Sequence, residues 1–308
     1  MNKMPHIQLD SSVGATAAIL PGDPARVDAI AAFLTDVREE AFSREYKSIT
    51  GTYKGTRILA ISTGMGGAST AICVEELADL GFTDLIRIGS CGALQSHLTL
   101  GQLVLCDRAV CDDGTSQTYL GTLRYAADAL NEGCRGTHDN QTFEPHYVAD
   151  ALTEAPAGTP AQHAVDPICG SEANLARTAP CTSTSPIRFA YGDRALLDTC
   201  VHAAQSLGFS YAVGPTRCHD ALYLRRKPQL DEFYSTQGIY ASDMETAALF
   251  AVGALRGVRT ASILNVVVEW KKDLKEGISS YKNGEDAAAL GERNEIIAAL
   301  EALHRAKS

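Results

Sequence analysis

Short apolar runs rich in β-branched residues alternate along this chain with longer segments in which apolar positions recur at helical spacing. Such alternation is typical of an α/β fold with a largely parallel sheet. The apolar runs predict six strands, at residues 16–20, 57–62, 84–89, 103–111, 211–218 and 260–268. The amphipathic segments predict helices at residues 25–34, 68–80, 193–207, 242–256 and 285–305. Three of the strands end in small, glycine-rich turns, where ligands of open α/β sheets usually bind.

The segment from about 121 to 186 departs from this pattern. Ala, Thr, Pro, Ser, Gly and His dominate it, and its apolar residues show little periodicity. A stretch of that length without elements of its own is unusual in a compact domain. We therefore predict a single domain over residues 1–308 that is interrupted by an insertion at about 121–186.

The charge of the chain limits its partners. With 27 Lys and Arg against 37 Asp and Glu among 308 residues, the formal net charge is −10. An acidic surface is a poor partner for nucleic acid or an anionic membrane. If the protein binds phosphate, it must do so with a few basic residues at specific positions. The chain has no apolar run long enough to span a membrane, and residues 1–10 lack the apolar core of a secretory signal peptide. We therefore expect a cytoplasmic protein. The nine scattered cysteines form no CxxC pair, which argues against a disulfide framework and a structural zinc site.

Two turns and one strand contain groups suited to an anion. Residues 63–70 form a strand-to-helix turn whose backbone amides could hold one, although the GxGxxG spacing of a dinucleotide site is absent. A nicotinamide enzyme is thus a remote alternative, and a merely structural turn is another. Gly22 and Arg26 follow the first strand, and Arg87 lies within an apolar strand, where a guanidinium is costly unless an anion or an acid pairs with it.

A third segment, residues 242–249, has the composition of a helix start. Ser242 is a good N-cap residue and Asp243 is an early acid, as the helix dipole favours. Glu245 is expected one turn inside the helix beside small apolar residues. A carboxylate there could accept hydrogen bonds from two vicinal hydroxyls.

Taken together, these segments resemble the nucleoside phosphorylases of the purine nucleoside and uridine phosphorylase superfamily, in its hexamer-type branch. The matching segments occur in the family's order and spacing, at residues 20–27, 43–46, 62–70, 75–77, 87–92, 113–116 and 243–245. The resemblance implies one α/β domain with a central mixed, largely parallel, partly barrel-like sheet flanked by helices. It also implies that inorganic phosphate is a co-substrate and that no organic cofactor takes part.

The resemblance assigns roles to individual residues. The residues implied to bind phosphate are Gly22, Arg26, Arg44, Arg87 and Ser90, with Arg44 contributed by a neighbouring subunit. The residues implied to bind ribose are Ser90, Met244, Glu245 and the neighbour's His6. Arg26, Arg87 and Glu245 would carry the catalysis, and three arginines around one phosphate favour phosphorolysis over hydrolysis. A lone N-terminal histidine such as His6 is otherwise a solvated residue.

Shared active sites and a cation between subunits also follow from the resemblance. Because Arg44 and His6 would complete a neighbour's site, we expect at least a homodimer. The insertion favours a free dimer over a ring of three such dimers. Glu45, the carbonyl of Met65 and Ser69 match positions that hold a cation in uridine-specific members, where oxygen ligands suit K⁺ or Ca²⁺.

The base site matches the family less closely. The Gln-x-Arg pair of the uridine enzymes is absent, although Arg226 or Gln229 could replace it, and Glu269 could protonate a purine nitrogen. The residues expected to line the base site are Cys91, Gly92, Leu222, Arg226, Gln229, Val267 and Glu269, with Trp270 available to stack. We predict phosphorolysis of a nucleoside, with uridine first and a purine nucleoside as the alternative. A catalytically idle nucleoside-binding protein is the alternative from another class.

Overall fold

One mixed sheet organises the part of the chain that the computed structural model describes, namely residues 3–121, 187–282 and 286–307. Residues 122–186 of the predicted insertion lie outside the described residues. The strands within the described ranges are β1 Ala17–Pro21, β2 Thr35–Ser43, β3 Tyr46–Tyr53, β4 Thr56–Ile61, β5 Asp84–Ala93, β6 Leu103–Asp112, β7 Phe189–Tyr191, β8 Tyr211–His219, β9 Ala241–Asp243 and β10 Arg259–Val268.

Five of these strands close into a barrel. Strand β5 pairs in parallel with β10 and antiparallel with β9, while β6 pairs antiparallel with β10 and β8 pairs in parallel with both β6 and β9. The ring therefore runs β5, β10, β6, β8, β9 and back to β5. From β5 the sheet continues outwards through β1, β4, β3 and β2, and β7 pairs with β6. Closure removes the free edges that an open sheet would expose around its centre.

Helices cover both faces of the sheet. In the described ranges they are α1 Pro24–Ala31, α2 Gly67–Asp79, α3 Gly114–Tyr119, α4 Arg194–Ser206, α5 Lys227–Thr236, α6 Thr246–Arg256, α7 Leu274–Lys282 and α8 Asp286–Lys307. None of them is long and apolar enough to cross a membrane. Side chains of β5 alternate between two cores: Leu85 and Cys91 belong to the core that contains residues of α2 and α6, and Ile86 and Ile88 belong to the core that contains residues of α4 and α8. Strand β5 is thus buried on both sides.

The predicted fold class is confirmed, but several short elements had no predicted counterpart, among them β7, α3, α5 and α7. The hairpin of β2 and β3 had no predicted counterpart, because β2 is largely exposed and carries charges at several positions. The helix predicted to start at Ser242 begins at Thr246, because residues 241–243 pair with β5 and β8 as strand β9. Six cysteines fall in the described ranges, and all six are free and buried.

Candidate active site

A buried arginine lies at the centre of the site. Arg87, on β5, is 4% exposed, and its Nη2 donates to Glu245 Oε2 at 2.5 Å. Its Nε donates to Asp243 Oδ2 at 3.3 Å. Burial alone would lower the pKa of this guanidinium, but the charges of the two carboxylates raise it, so Arg87 stays a cation. Its Nη1 is buried and has no hydrogen-bond partner among the described residues, which leaves a donor for an anion.

The carboxylates that hold Arg87 lie in the segment that runs from the end of β9 to the start of α6. Asp243 Oδ2 accepts from the amide and the hydroxyl of Thr246, at 3.0 and 2.6 Å, so Asp243 satisfies the start of α6. The expectation that Ser242 caps this helix is wrong, and Glu245 precedes the helix instead of lying a turn inside it. Glu245 Oε1 accepts from the amide of Gly66 at 2.6 Å, which joins the segment to the start of α2. Burial raises the pKa of Glu245, and Arg87 opposes that rise.

A second arginine lies at the start of α1. Arg26 is 7% exposed, and its guanidinium contacts two carboxylates of α8. Its Nε is 3.1 Å from Glu292 Oε2, and its Nη1 is 3.2 Å from Glu295 Oε1. The sequence motif contained Arg26 but neither of these partners, which lie more than 260 residues further along the chain.

The turns around these arginines are joined through their backbones. The amide of Thr63 donates to the carbonyl of Pro21 at 2.9 Å, and the amide of Gly64 donates to the carbonyl of Gly22 at 3.0 Å. A Cβ on Gly22 would lie 3.2 Å from the Gly64 carbonyl oxygen, so this close approach favours glycine. Ser90 is half-buried on β5, three residues after Arg87. Gly22, Arg26, Arg87 and Ser90 therefore lie on adjacent strands β1 and β5 or directly after them.

Two further residues lie apart from this cluster in the single chain. Arg44 is exposed in the turn between β2 and β3 and has a positive φ of 56°. His6 is half-buried, and its Nδ1 is 2.5 Å from Glu76 Oε1. Glu76 also accepts from the amide of Ile7, so it holds the N-terminal segment on α2. Completion of a neighbour's site by Arg44 and His6 stays a prediction.

The three predicted cation ligands come together on one surface. A Cβ on Gly64 would lie 2.8 Å from Cγ of Glu45 and 3.5 Å from Oγ of Ser69, so these two side chains flank the same glycine. Ser69 Oγ lies 3.5 Å from the carbonyl oxygen of Met65, whose side chain is 88% exposed. One carboxylate, one hydroxyl and one carbonyl form an oxygen set that fits a hard cation. The described residues hold no cluster of three or more His, Cys, Asp or Glu side chains that could bind a metal.

The predicted base-site residues differ in exposure. Cys91 is buried and Gly92 is half-buried on β5, and a Cβ on Gly92 would meet no atom within 4 Å. Val267 is buried near the end of β10, and Glu269 is half-buried just beyond it. The remaining three residues precede or open α5: Leu222, which is half-buried, and Arg226 and Gln229, which are exposed. Trp270 packs against a cluster that includes Leu94 and Tyr234.

Comparisons with known proteins identify the family of the chain. A family model described as "Phosphorylase superfamily" matches residues 16–292. The chain belongs to this superfamily. The resemblance to the nucleoside phosphorylases that the sequence motifs indicated is thereby confirmed.

Relatives within the phosphorylase superfamily include enzymes for both classes of base. The chain is 46% identical over 115 residues to a uridine phosphorylase of Thermococcus kodakarensis and 40% identical over 144 residues to a guanosine phosphorylase of Halorubrum lacusprofundi. These alignments span 37% and 46% of this chain, and 42% and 59% of the two relatives. A solved structure of uridine phosphorylase from Vibrio fischeri is 32% identical, with a TM-score of 0.71 over 99% of this chain and 98% of that one.

Sequence reasoning missed an ion-pair network beside the base-site segment. Arg217, on β8, is 4% exposed; its Nε and Nη2 donate to Asp112 at 2.8 and 2.7 Å, and its Nη1 lies 3.4 Å from Asp231 of α5. The guanidinium also stacks over the ring of Tyr234, 4.7 Å from its centroid. The alternation of β8 would have placed Arg217 on the opposite face from Cys218, but not beside α5. This network anchors α5 to the barrel.

Proposed function

We propose that this protein cleaves uridine by phosphorolysis, giving uracil and ribose 1-phosphate. The observation that carries the proposal is the buried Arg87, which keeps an unpartnered donor while Glu245 and Asp243 fix its position. A buried cation with a spare donor, next to a carboxylate suited to sugar hydroxyls, fits an anion and a ribose bound side by side. Superfamily membership and the solved Vibrio fischeri enzyme support the same activity.

In this proposal phosphate binds between the two arginine-bearing turns. Arg26, Arg87 and Ser90 contact its oxygens, the backbone at Gly22 lets it approach, and a neighbour's Arg44 completes the site. The anion lies beneath the anomeric carbon, where it stabilises the positive charge that develops as the glycosidic bond lengthens. Phosphate then captures that carbon, and the base leaves with the bonding electrons. Fixing both reactants in this geometry supplies much of the rate enhancement.

The ribose lies against the segment between β9 and α6. Glu245 accepts hydrogen bonds from the vicinal hydroxyls, Met244 packs against the sugar, Ser90 contacts it from β5, and a neighbour's His6 reaches its far end. Because Glu245 also accepts from the Gly66 amide and from Arg87, its carboxylate is oriented before the sugar arrives. Arg87 thus joins the phosphate and ribose subsites.

The base lies among Cys91, Gly92, Leu222 and Val267, within reach of Arg226, Gln229 or Glu269. Uridine is favoured because the Vibrio fischeri uridine phosphorylase matches this chain over nearly its whole length. Phosphorolysis of a purine nucleoside is the second candidate, favoured by Glu269, which follows β10 as a half-buried acid. The Halorubrum lacusprofundi relative, named a guanosine phosphorylase, gives it further support.

We further propose that the active unit is a dimer with reciprocal sites. The exposed apolar side chains Phe42 and Met65, which are 67% and 88% exposed, lie beside the hairpin turn that carries Arg44 and beside the start of α2. Glu45, Ser69 and the Met65 carbonyl would hold K⁺ or Ca²⁺ where two subunits meet, and the ion would neutralise carboxylates brought together there. The role of the ion would be structural.

Release of free base from a panel of nucleosides tests the function. Uridine, thymidine, inosine, adenosine and 5'-methylthioadenosine are each incubated with and without inorganic phosphate, and the freed base is measured by chromatography. Uracil released only with phosphate supports the proposal. Release of a purine alone would transfer the assignment to the second candidate, and no release from any substrate would favour an idle nucleoside-binding protein.

A further inference from the structure

A buried carboxylate that the family motifs do not include lies against the phosphate-binding arginine. Glu295, on α8, is fully buried, and its Oε1 accepts from Arg26 Nη1 at 3.2 Å. Its other oxygen, Oε2, is buried and has no hydrogen-bond partner among the described residues. An ionised carboxylate with one bare oxygen is costly in an apolar interior, whereas a protonated one is not.

Charged and titratable groups face Glu295 from three elements. Arg26 approaches from α1, Arg87 and the thiol of Cys91 lie on β5, and Glu292 lies one turn earlier on α8. Burial raises the pKa of Glu295 to about 8, and the charge of Glu292 adds to the rise. Arg26 is the main opposing influence, followed by Arg87 and the amide of Gly89. The thiol does not compete for protons in this range, because burial raises the pKa of Cys91 well above its usual value.

The carboxylates around the two arginines oppose the binding of another anion. Two cations, Arg26 and Arg87, contact four carboxylates: Glu292 and Glu295 around the first, and Asp243 and Glu245 around the second. A phosphate dianion entering this cluster gains more attraction if one carboxylate is neutral. Glu295 is the carboxylate that is fully buried and already has an unpartnered oxygen.

We propose that Glu295 is a positioning residue that holds the Arg26 guanidinium for phosphate, and that phosphate binds the form in which Glu295 is protonated, so that an ionised Glu295 takes up a proton from solvent when phosphate binds. The proposal rests on the phosphate site of the proposed function. As a neutral acid, Glu295 still accepts the hydrogen bond from Arg26, so the guanidinium keeps its place while its charge serves the phosphate. As an anion, Glu295 competes with phosphate for the same cation. Phosphate affinity is therefore linked to the protonation of a group that need not touch the substrate.

The linkage has a definite sign. The pKa of Glu295 in the free protein, about 8, lies above the usual value of a glutamate, so the carboxyl group is mostly protonated at pH 7 and ionises as the pH rises. If phosphate binds only the neutral form, its dissociation constant increases about tenfold between pH 7 and pH 9, since one proton must be recovered. The Glu295→Gln variant, which is always neutral, corrects for the titration of phosphate itself. Above pH 8 this variant should bind phosphate more tightly than the wild-type protein does.

Isothermal titration calorimetry of the full chain with inorganic phosphate tests the proposal, in two pH 8 buffers that differ in ionisation enthalpy. Comparing the heats gives the protons taken up per phosphate bound. We expect the wild-type protein to take up about half a proton more than Glu295→Gln, because half of its Glu295 is ionised at that pH. The control is Glu301→Gln on the same helix, because Glu301 pairs with Lys54 and Arg305 instead of Arg26. It should match the wild type.

The outcomes separate this inference from the function on which it rests. Equal proton uptake in wild type and Glu295→Gln would overturn the inference and leave phosphate binding intact. Absence of phosphate binding by the wild-type protein at any pH would overturn both. The positioning role has its own variant, Glu295→Ala, which should weaken phosphate binding about tenfold even at pH 6.5, where Glu295→Gln should not. Unchanged affinity in folded Glu295→Ala would refute that role, and circular dichroism checks that it is folded.

Discussion

Replacing Arg87 by alanine should remove both phosphate binding and part of the stability of the fold. The side chain is 4% exposed, and its partners Asp243 and Glu245 are also buried. The substitution leaves two buried carboxylates without their cation, at a cost of about 3–5 kcal/mol in the free energy of unfolding. Because a domain of this kind is stable by about 5–15 kcal/mol, the variant should stay folded at 25 °C but melt earlier.

The destabilisation should depend on pH. Burial raises the pKa of Glu245 in the folded protein above its value in the unfolded chain, and the loss of Arg87 removes the charge that opposes this rise. Above pH 4.5 the unfolded chain loses the Glu245 proton, whereas the folded variant keeps it over a wider pH range than the folded wild type does. The stability of the variant therefore falls as the pH rises through that range. Arg87→Ala should lose less stability, relative to wild type, at pH 5 than at pH 8.

Urea unfolding of three proteins at pH 5 and pH 8 measures these effects. The three proteins are wild type, Arg87→Ala and the double variant that combines Arg87→Ala with Glu245→Gln. At pH 8 the double variant should be more stable than Arg87→Ala and less stable than wild type. Neither variant should release base in a phosphate-dependent assay. A loss below about 1 kcal/mol that is equal at both pH values would match an exposed ion pair and refute the reasoning.

Three other changes probe the remaining parts of the site. Gly89→Ala would place a Cβ 2.5 Å from Nη2 of Arg87, so we expect the KM for phosphate to rise on the order of tenfold to hundredfold; an unchanged KM would contradict the assigned position. Met65→Glu introduces a charge at an exposed apolar surface and should give an inactive monomer in analytical ultracentrifugation, whereas an active monomer would refute shared sites. Arg217→Met should cost about 2 kcal/mol and speed hydrogen exchange in residues 227–236, and unchanged exchange there would show that Arg217 does not anchor α5.

Local sequence patterns predicted the parts of the fold that depend on neighbours along the chain. The strands around residues 17–21 and 259–268 and the helices around 67–79 and 194–206 were predicted because burial on one or both faces leaves a clear apolar period. The hairpin of β2 and β3 was missed because the exposed strand β2 lacks such a period. Strand β9 was missed because it is only three residues long and its Ser242 and Asp243 also fit the start of a helix.

The candidate site residues were predicted from local motifs, but the contacts between them were not. Short motifs at or next to strand ends contained Gly22, Arg26, Arg87 and Glu245, because a segment that meets a ligand brings its glycine and its charged residue close together in sequence. No motif could pair Arg87 with Asp243 and Glu245, which lie 156 and 158 residues away. Those contacts exist because β9 adds antiparallel to β5 when the barrel closes.

The sequence by itself determined the α/β class, the acidic surface and the short turns in which the chemistry of this protein resides, since these depend on residue type and local period. Only the tertiary structure decided which carboxylates oppose which arginines. Packing of α8 on the sheet brings Glu292 and Glu295 to Arg26, and closure of the barrel brings Glu245 to Arg87 and to the Gly66 amide. Electrostatic energy depends on distance and burial, neither of which spacing along the chain specifies, so the charge balance of the site became visible only in the folded molecule.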